Sequence, residues 1–117
     1  MSERIRWEIH DGVEILVSDF SKITSPDDAR AAAKESEEAI CARPLGSVRR
    51  VSCVSDSFFT DELKKITEEY SKNIRPYTKA AAAVGFTGLK GIILKAINRS
   101  IKFCDTLDEA IDWLKKQ

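Results

Sequence analysis

The chain has 117 residues, of which 43% are apolar and 32% are charged, and its 19 basic and 19 acidic residues leave no net charge. This length and composition predict one globular domain over 1–117, and the neutral balance excludes a global attraction to nucleic acid or to an anionic membrane. The start, Met1-Ser2-Glu3-Arg4, lacks an apolar signal region and no apolar run is long enough to cross a bilayer. We therefore expect a cytoplasmic protein without a transmembrane segment.

Cysteine and histidine are too few and too widely spaced to indicate a disulfide framework or a zinc site. The chain has three cysteines, Cys41, Cys53 and Cys104, and a single histidine, His10. An odd number of cysteines at such spacing matches neither pattern. We expect buried free thiols, no metal and no cofactor.

The first elements in chain order are a predicted hairpin and a predicted helix. Apolar and polar residues alternate on both sides of Asp11-Gly12, a dipeptide that tolerates the positive φ angles of a tight β-turn. Ser25-Pro26 then reads as an N-cap followed by proline at the first helical position, with Asp28 where a capping box places glutamate. The buried face of this helix is built from small side chains.

A β-branched run, Val48 to Val54, predicts the third strand, and a hydroxyl-rich loop follows it. Leu63, Ile66 and Tyr70 then recur at helical spacing, with Thr60 as the natural N-cap. In a parallel α/β sheet such a loop lies at the carboxyl edge of the strands, where ligand and partner sites concentrate. The candidate phosphoacceptor or partner residues of this loop are Ser55, Ser57 and Thr60.

The next segment supports a helix and a strand equally. Four consecutive alanines, Ala80 to Ala83, favour a helix by propensity, whereas the short span between Pro76 and Gly85 favours a strand by length, with proline as its first residue. After Gly85, Thr87 is placed as the N-cap of a further helix whose free backbone N–H groups could face an anion. The candidate anion-binding turn consists of Gly85, Thr87, Gly88 and Lys90.

The closing segment predicts a short strand, Lys102 to Asp105, and a helix. Thr106 stands as its N-cap and Glu109 three residues later completes a capping box. The predicted fold is thus an α/β domain with a mixed, mostly parallel sheet of five strands and about four helices, in the order β-β-α-β-α-β-α-β-α.

Three segments carry a resemblance to a known family: Arg75-Pro76-Tyr77-Thr78-Lys79-Ala80, Val84-Gly85-Phe86-Thr87-Gly88-Leu89-Lys90 and Phe103-Cys104-Asp105-Thr106-Leu107-Asp108-Glu109-Ala110. With the order of elements, they resemble the STAS fold of anti-sigma-factor antagonists and, more closely, the SpoIIAA-like family of small bacterial proteins. The resemblance implies that Tyr77 to Val84 is a strand.

The resemblance also implies a regulatory role. In anti-sigma-factor antagonists a serine in an Asp-Ser-Ser-Gly-like segment after the third strand is phosphorylated by a partner kinase, and this switches binding. This chain has Phe59-Thr60-Asp61-Glu62 there, without the serine pair and glycine, so Thr60 is the nearest hydroxyl in register. Capping of the following helix is the alternative role of Thr60.

Between Lys72 and Cys104 the chain carries seven basic residues and no acidic one. One interpretation is a solvated basic face, and the other is an anionic partner or ligand near Gly85 to Lys90. Nucleic acid is disfavoured because aromatic residues are not interleaved with the basic ones.

Together these observations predict a non-enzymatic regulatory or protein-interaction module of SpoIIAA-like type, because no nucleophile, base and orienting group are suggested by spacing. The alternative is a carrier or sensor of a small anionic or lipid-like ligand at the carboxyl edge of the sheet. A protein partner is expected, and a homodimer is predicted with Leu94 or the exposed first strand as its contacts.

Overall fold

The computed structural model describes residues 4–23, 25–54, 61–85 and 101–117. Five strands and three α-helices lie in these ranges, together with one turn of 3₁₀ helix at Arg75–Tyr77. In chain order they are β1 Ile5–His10, β2 Val13–Asp19, α1 Pro26–Cys41, β3 Val48–Cys53, α2 Asp61–Ile74, β4 Thr78–Val84, β5 Lys102–Cys104 and α3 Leu107–Lys115.

The opening hairpin is confirmed, with the turn where the sequence places it. β1 pairs antiparallel with β2 from Ile5 opposite Ser18 to His10 opposite Val13, so two residues form the loop. Asp11 and Gly12 have φ angles of 53° and 80°, the left-handed conformations that a type I′ turn requires at both central positions.

The strands form one mixed sheet in the order β1-β2-β3-β4-β5. β2 and β3, β3 and β4, and β4 and β5 pair in parallel, so only the first pairing is antiparallel. An α/β fold with a five-stranded mixed sheet is therefore confirmed. The helix predicted between β4 and β5, which would be the fourth, falls outside the described residues, as does Leu94.

The alanine run is a strand. Ala80 to Ala83 form the middle of β4, which lies between β3 and β5, and all four are buried. Burial in the sheet overrides the helix propensity of alanine. Pro76 does not begin this strand, contrary to the prediction. It lies in the 3₁₀ turn that connects α2 to β4, where its missing N–H leaves no strand hydrogen bond unmade.

Two helix starts follow the predicted capping chemistry. The hydroxyl of Ser25 accepts the N–H of Asp28 at 3.2 Å, with Pro26 at the first helical position. Thr106 accepts the N–H of Glu109 at 3.2 Å, while the Glu109 carboxylate accepts the N–H of Asp105, one residue before the N-cap that a capping box would use, at 3.4 Å. Each cap satisfies a backbone donor that the helix itself leaves unpaired.

The sheet has an apolar cluster on each face. The face covered by α3 includes Val17, Val51, Ala82, Ala110 and Leu114. The face covered by α1 and α2 includes Leu16, Ile40, Val48, Tyr70 and Ile74. Among the helices that the structure describes, none combines the length and the apolar character needed to span a membrane.

The cluster under α1 and α2 encloses polar groups that the sequence does not reveal. The hydroxyl of Ser36 lies 2.8 Å from that of Ser18 and 2.7 Å from that of Tyr70, forming a buried chain between β2, α1 and α2. Beside it, Arg50 on β3 is only 3% exposed. Its Nε donates to Thr78 Oγ1 at 3.3 Å, and its guanidinium carbon lies 5.7 Å from the centre of the Tyr70 ring.

Burial lowers the pKa of the Arg50 guanidinium, and the neighbouring Tyr70 opposes that shift. Within the described residues Arg50 forms no ion pair with a carboxylate, although an arginine carries five N–H donors. A buried cation with one neutral hydrogen-bond acceptor is costly, since desolvation is not offset by a counter-charge.

Candidate functional site at the carboxyl edge of the sheet

The four parallel strands end along one edge of the sheet. In the ladder Asp19 lies opposite Cys53, Cys53 opposite Val84, and Val84 opposite Cys104. The N–H of Val54 donates to the carbonyl of Val84 at 2.9 Å, so β3 and β4 stay paired to their last residues. The chain therefore leaves β3 and β4 from neighbouring points of this edge.

The predicted site residues begin at these two points. Gly85 follows β4 directly and is half-buried with a φ of 88°, a left-handed conformation that glycine adopts without steric cost. Ser55, Ser57 and Thr60 lie outside the described residues, and so do Thr87, Gly88 and Lys90. The structure thus places the origins of both predicted loops side by side, at a strand spacing of about 4.8 Å.

A turn after β2 adds a third polar group to this edge, which was not among the predicted site residues. The Asp19 carboxylate accepts the N–H of Ser21 at 2.9 Å and also the Ser21 hydroxyl. Arg4 donates to the carbonyls of Asp19 and Ser21 at 3.1 and 2.9 Å, and the N–H of Phe20 donates to the carbonyl of Cys53 at 2.7 Å. Asp-x-Ser is the local signal for such an Asx-turn.

The charges described at this edge include more acidic residues than basic ones, and the basic ones, Arg4 and Lys22, lie at the turn after β2. Asp19 ends β2, Asp105 follows β5, and Asp108 and Glu109 lie in the first turn of α3. Of the basic stretch, Lys72, Arg75 and Lys79 lie at the end of α2 and the start of β4, which is the end of β4 opposite Gly85. These three residues therefore lie away from the predicted anion-binding turn, which begins at Gly85.

Two thiols lie on the same row of the ladder, facing the α3 side. Burial, followed by the charge of Asp19, raises the pKa of Cys53 to about 11. Burial, followed by Glu109, raises the pKa of Cys104. A thiol with a raised pKa is almost fully protonated at neutral pH and is a poor nucleophile.

All three cysteines are free, but the expectation that all are buried is wrong for Cys41. It ends α1 on the exposed side of the helix, while Cys53 is half-buried and Cys104 is buried. Burial, followed by Glu37, raises the pKa of Cys41 as well.

The single histidine pairs with a neighbouring carboxylate, and the described ranges contain no group of metal ligands. His10 Nε2 lies 2.8 Å from a carboxylate oxygen of Glu8, which also pairs with Arg6 on the same strand. Over residues 4–23, 25–54, 61–85 and 101–117, no three His, Cys, Asp or Glu side chains are grouped so that they could hold a metal ion.

Comparison of the chain with protein-family models, with curated proteins and with solved structures finds no match.

Proposed function

We propose that the protein is a non-enzymatic regulatory module that binds a partner protein through the carboxyl edge of its sheet. The observation that supports this most is the pairing of β3 with β4 up to Val54 and Val84, since it brings the starts of two chain segments together. Loops that leave neighbouring parallel strands build one continuous surface, and such surfaces commonly carry binding residues.

The polar groups of this edge fit recognition better than bond cleavage. Asp19 and Thr106 are occupied by local hydrogen bonds, and the thiols of Cys53 and Cys104 have raised pKa values. The exposed carboxylates, including Asp105 and Asp108, favour a partner surface with complementary positive charge.

Within this proposal the protein is a SpoIIAA-like, STAS-like module of the cytoplasm, and phosphorylation of Ser55, Ser57 or Thr60 would regulate binding of the partner. Phosphate at a helix N-terminus is electrostatically favourable, and Thr60 immediately precedes α2, whose first residue is Asp61. The carboxylates of Asp61 and Glu62 would oppose it. The intact mass of protein isolated from its own host tests this: we expect a mass increase of about 80 Da for one phosphate, and a uniformly unmodified population would contradict it.

Capture of the partner from host lysate tests the module itself. Asp105→Arg reverses an exposed charge at the carboxyl edge. Glu38→Arg makes the same charge reversal on the exposed side of α1, near the C-terminal end of that helix. We expect the wild type and Glu38→Arg to retain the same specific protein and Asp105→Arg to lose most of it. Equal retention by both variants would place the binding surface elsewhere.

Native mass spectrometry of gently purified protein distinguishes the module from the carrier of a small anionic or lipid-like ligand. A module should give the mass of the polypeptide, with or without its partner. A carrier should retain a small molecule and be stabilised by it, and that result would contradict the proposed function.

A further inference from the structure

In the part of the chain that the structure describes, β1 is the outer strand of the sheet and pairs with a strand on one side alone. Its other side is suited to pairing with another strand. It is six residues long, contains no proline, and pairs with β2 without a bulge. The N–H of Asp19 donates to the carbonyl of Arg4 at 2.7 Å, so the even-numbered residues of β1 direct their backbone groups toward β2. Since these directions alternate along a strand, Ile5, Trp7 and Ile9 direct theirs away from the sheet.

The charges of β1 favour one register for pairing with a second copy. A two-fold axis perpendicular to the sheet keeps each face continuous, so even-numbered residues lie opposite even-numbered ones. Arg6 and Glu8 form an ion pair within each strand. An axis at Arg6 would place the arginines of two such pairs opposite each other, although it also places Arg4 opposite Glu8, and an axis at Glu8 would place two glutamates opposite each other. An axis at Trp7 instead places Arg6 opposite Glu8 of the second copy, twice, and opposite charges in facing positions stabilise a sheet.

The same register covers an exposed apolar side chain. Ile9 is 72% exposed, and an axis at Trp7 places it opposite Ile5 of the second copy, at the margin of a buried apolar cluster. Trp7 lies on the axis, with the guanidinium of Arg43 at 4.0 Å from its ring centre. The charge of Arg43 is balanced by its ion pair with Glu14, so the two copies do not bring unpaired cations together.

We propose that two copies of the chain associate by antiparallel pairing of β1 with β1 about a two-fold axis at Trp7. The pairs Ile5 with Ile9, Trp7 with Trp7 and Ile9 with Ile5 would form about six backbone hydrogen bonds, two per pair. The contact is small, so the dimer is weak and its population depends on concentration. It uses the side of the sheet and not the carboxyl edge, so it is independent of the proposed function.

Charge exchange tests the register. Arg6→Glu and Glu8→Arg each place like charges opposite one another in a homodimer, and we expect each to raise the dissociation constant about tenfold or more. Mixing the two variants in equal amounts restores an opposite charge at both facing positions, so the mixture should form a heterodimer. Sedimentation velocity reports the assembly, and native mass spectrometry distinguishes the heterodimer by mass.

A second pair of variants locates the surface without altering the Arg6 and Glu8 pair within one chain. Ile9→Lys places a charge at the contact, whereas Leu45→Lys makes the same change at a side chain that is 70% exposed in the turn before β3. Both should fold, because both side chains are exposed. We expect Ile9→Lys to be monomeric and Leu45→Lys to associate like the wild type. A wild type that stays monomeric at millimolar concentration, equal effects of the two lysines, or no heterodimer in the mixture would overturn the proposal.

Discussion

Replacing Arg50 by methionine should leave the protein as stable as the wild type or more stable, although it removes a buried side chain with a hydrogen bond and a ring contact. Arg50 is 3% exposed, and the only hydrogen-bond acceptor described for it is the neutral hydroxyl of Thr78. Methionine fills a similar volume and adapts its shape to the space. Thr78 is not left unsatisfied, because its hydroxyl also donates to the carbonyl of Ile74 at 2.9 Å.

The magnitude follows from the two contacts that are lost and the charge that is no longer buried. The hydrogen bond is long at 3.3 Å and contributes about 1 kcal/mol. The ring contact, at 5.7 Å, is near the limit of its range and contributes about 0.5 kcal/mol. Burying an ion without a counter-charge costs several kcal/mol even after relaxation. We therefore expect Arg50→Met to raise the free energy of unfolding by about 1 kcal/mol.

Urea denaturation followed by circular dichroism measures this, since 1 kcal/mol shifts the midpoint by about 0.5–1 M for a domain of this size. Arg75→Met is the matched control at an exposed arginine and should change stability by less than about 0.5 kcal/mol. Arg50→Lys keeps the charge but loses the planar guanidinium, so it should be less stable than Arg50→Met. A loss of more than about 1 kcal/mol in Arg50→Met would refute the reasoning and show that the guanidinium stabilises the fold.

Three further predictions test the thiols, the charges of β1 and the packing of β4. With a thiol-specific reagent at pH 8, exposed Cys41 should react first, and Cys53, whose pKa is about 11, should react far more slowly. In denaturant all three cysteines should react rapidly. Fast labelling of Cys53 in the folded protein would contradict its protonated state. Burial raises the pKa of Glu8, but hydrogen bonds from His10 and Arg6 outweigh it and lower the pKa below 4.5. Glu8→Gln should therefore lower the free energy of unfolding by less than about 1 kcal/mol at pH 7, and the difference from the wild type should vanish as the pH falls below 4.5. Denaturation at several pH values measures this. A difference that persists at acid pH would exclude the charge of Glu8 as its cause. Ala82→Leu should lower the free energy of unfolding by about 1–3 kcal/mol, because the side chain at this position is buried in the cluster that α3 covers. The control Ala31→Leu, on the exposed side of α1, should leave it unchanged. Equal stability of both variants would show that α3 can move away from β4.

Local chemistry explains which parts of the fold could be predicted. The Asp11-Gly12 turn and the caps at Ser25 and Thr106 depend on residues within four positions of one another, so the sequence pattern contains all the information needed. The state of Ala80 to Ala83 depends on neighbours that are distant in sequence. Propensity and length disagreed there, and the position of β4 between two strands decided between them.

The buried polar groups could not be predicted for the same reason. Ser36 and Tyr70 are 34 residues apart and meet only when α1 and α2 pack on the same face of the sheet. Arg50 lies in a strand whose two arginines, Arg49 and Arg50, point to opposite faces, and the sequence does not show which of them will be fully buried. At the carboxyl edge, the parallel order predicted where the loops begin, but the contact of Arg4 with the turn after Asp19 depends on the hairpin register.

The two proposed surfaces have a geometric relationship that makes their combination testable. Antiparallel pairing of β1 with β1 reverses the strand direction between the two copies. Their carboxyl edges would therefore lie along opposite edges of the continuous sheet. A partner bound at one edge would then neither contact nor block the other, and a dimer would bind two partners independently. Ile9→Lys should therefore abolish association of the copies while each monomer still retains the partner protein in solution. If Ile9→Lys also lost the partner, the two surfaces would not be independent, and binding at the carboxyl edge would require the dimer.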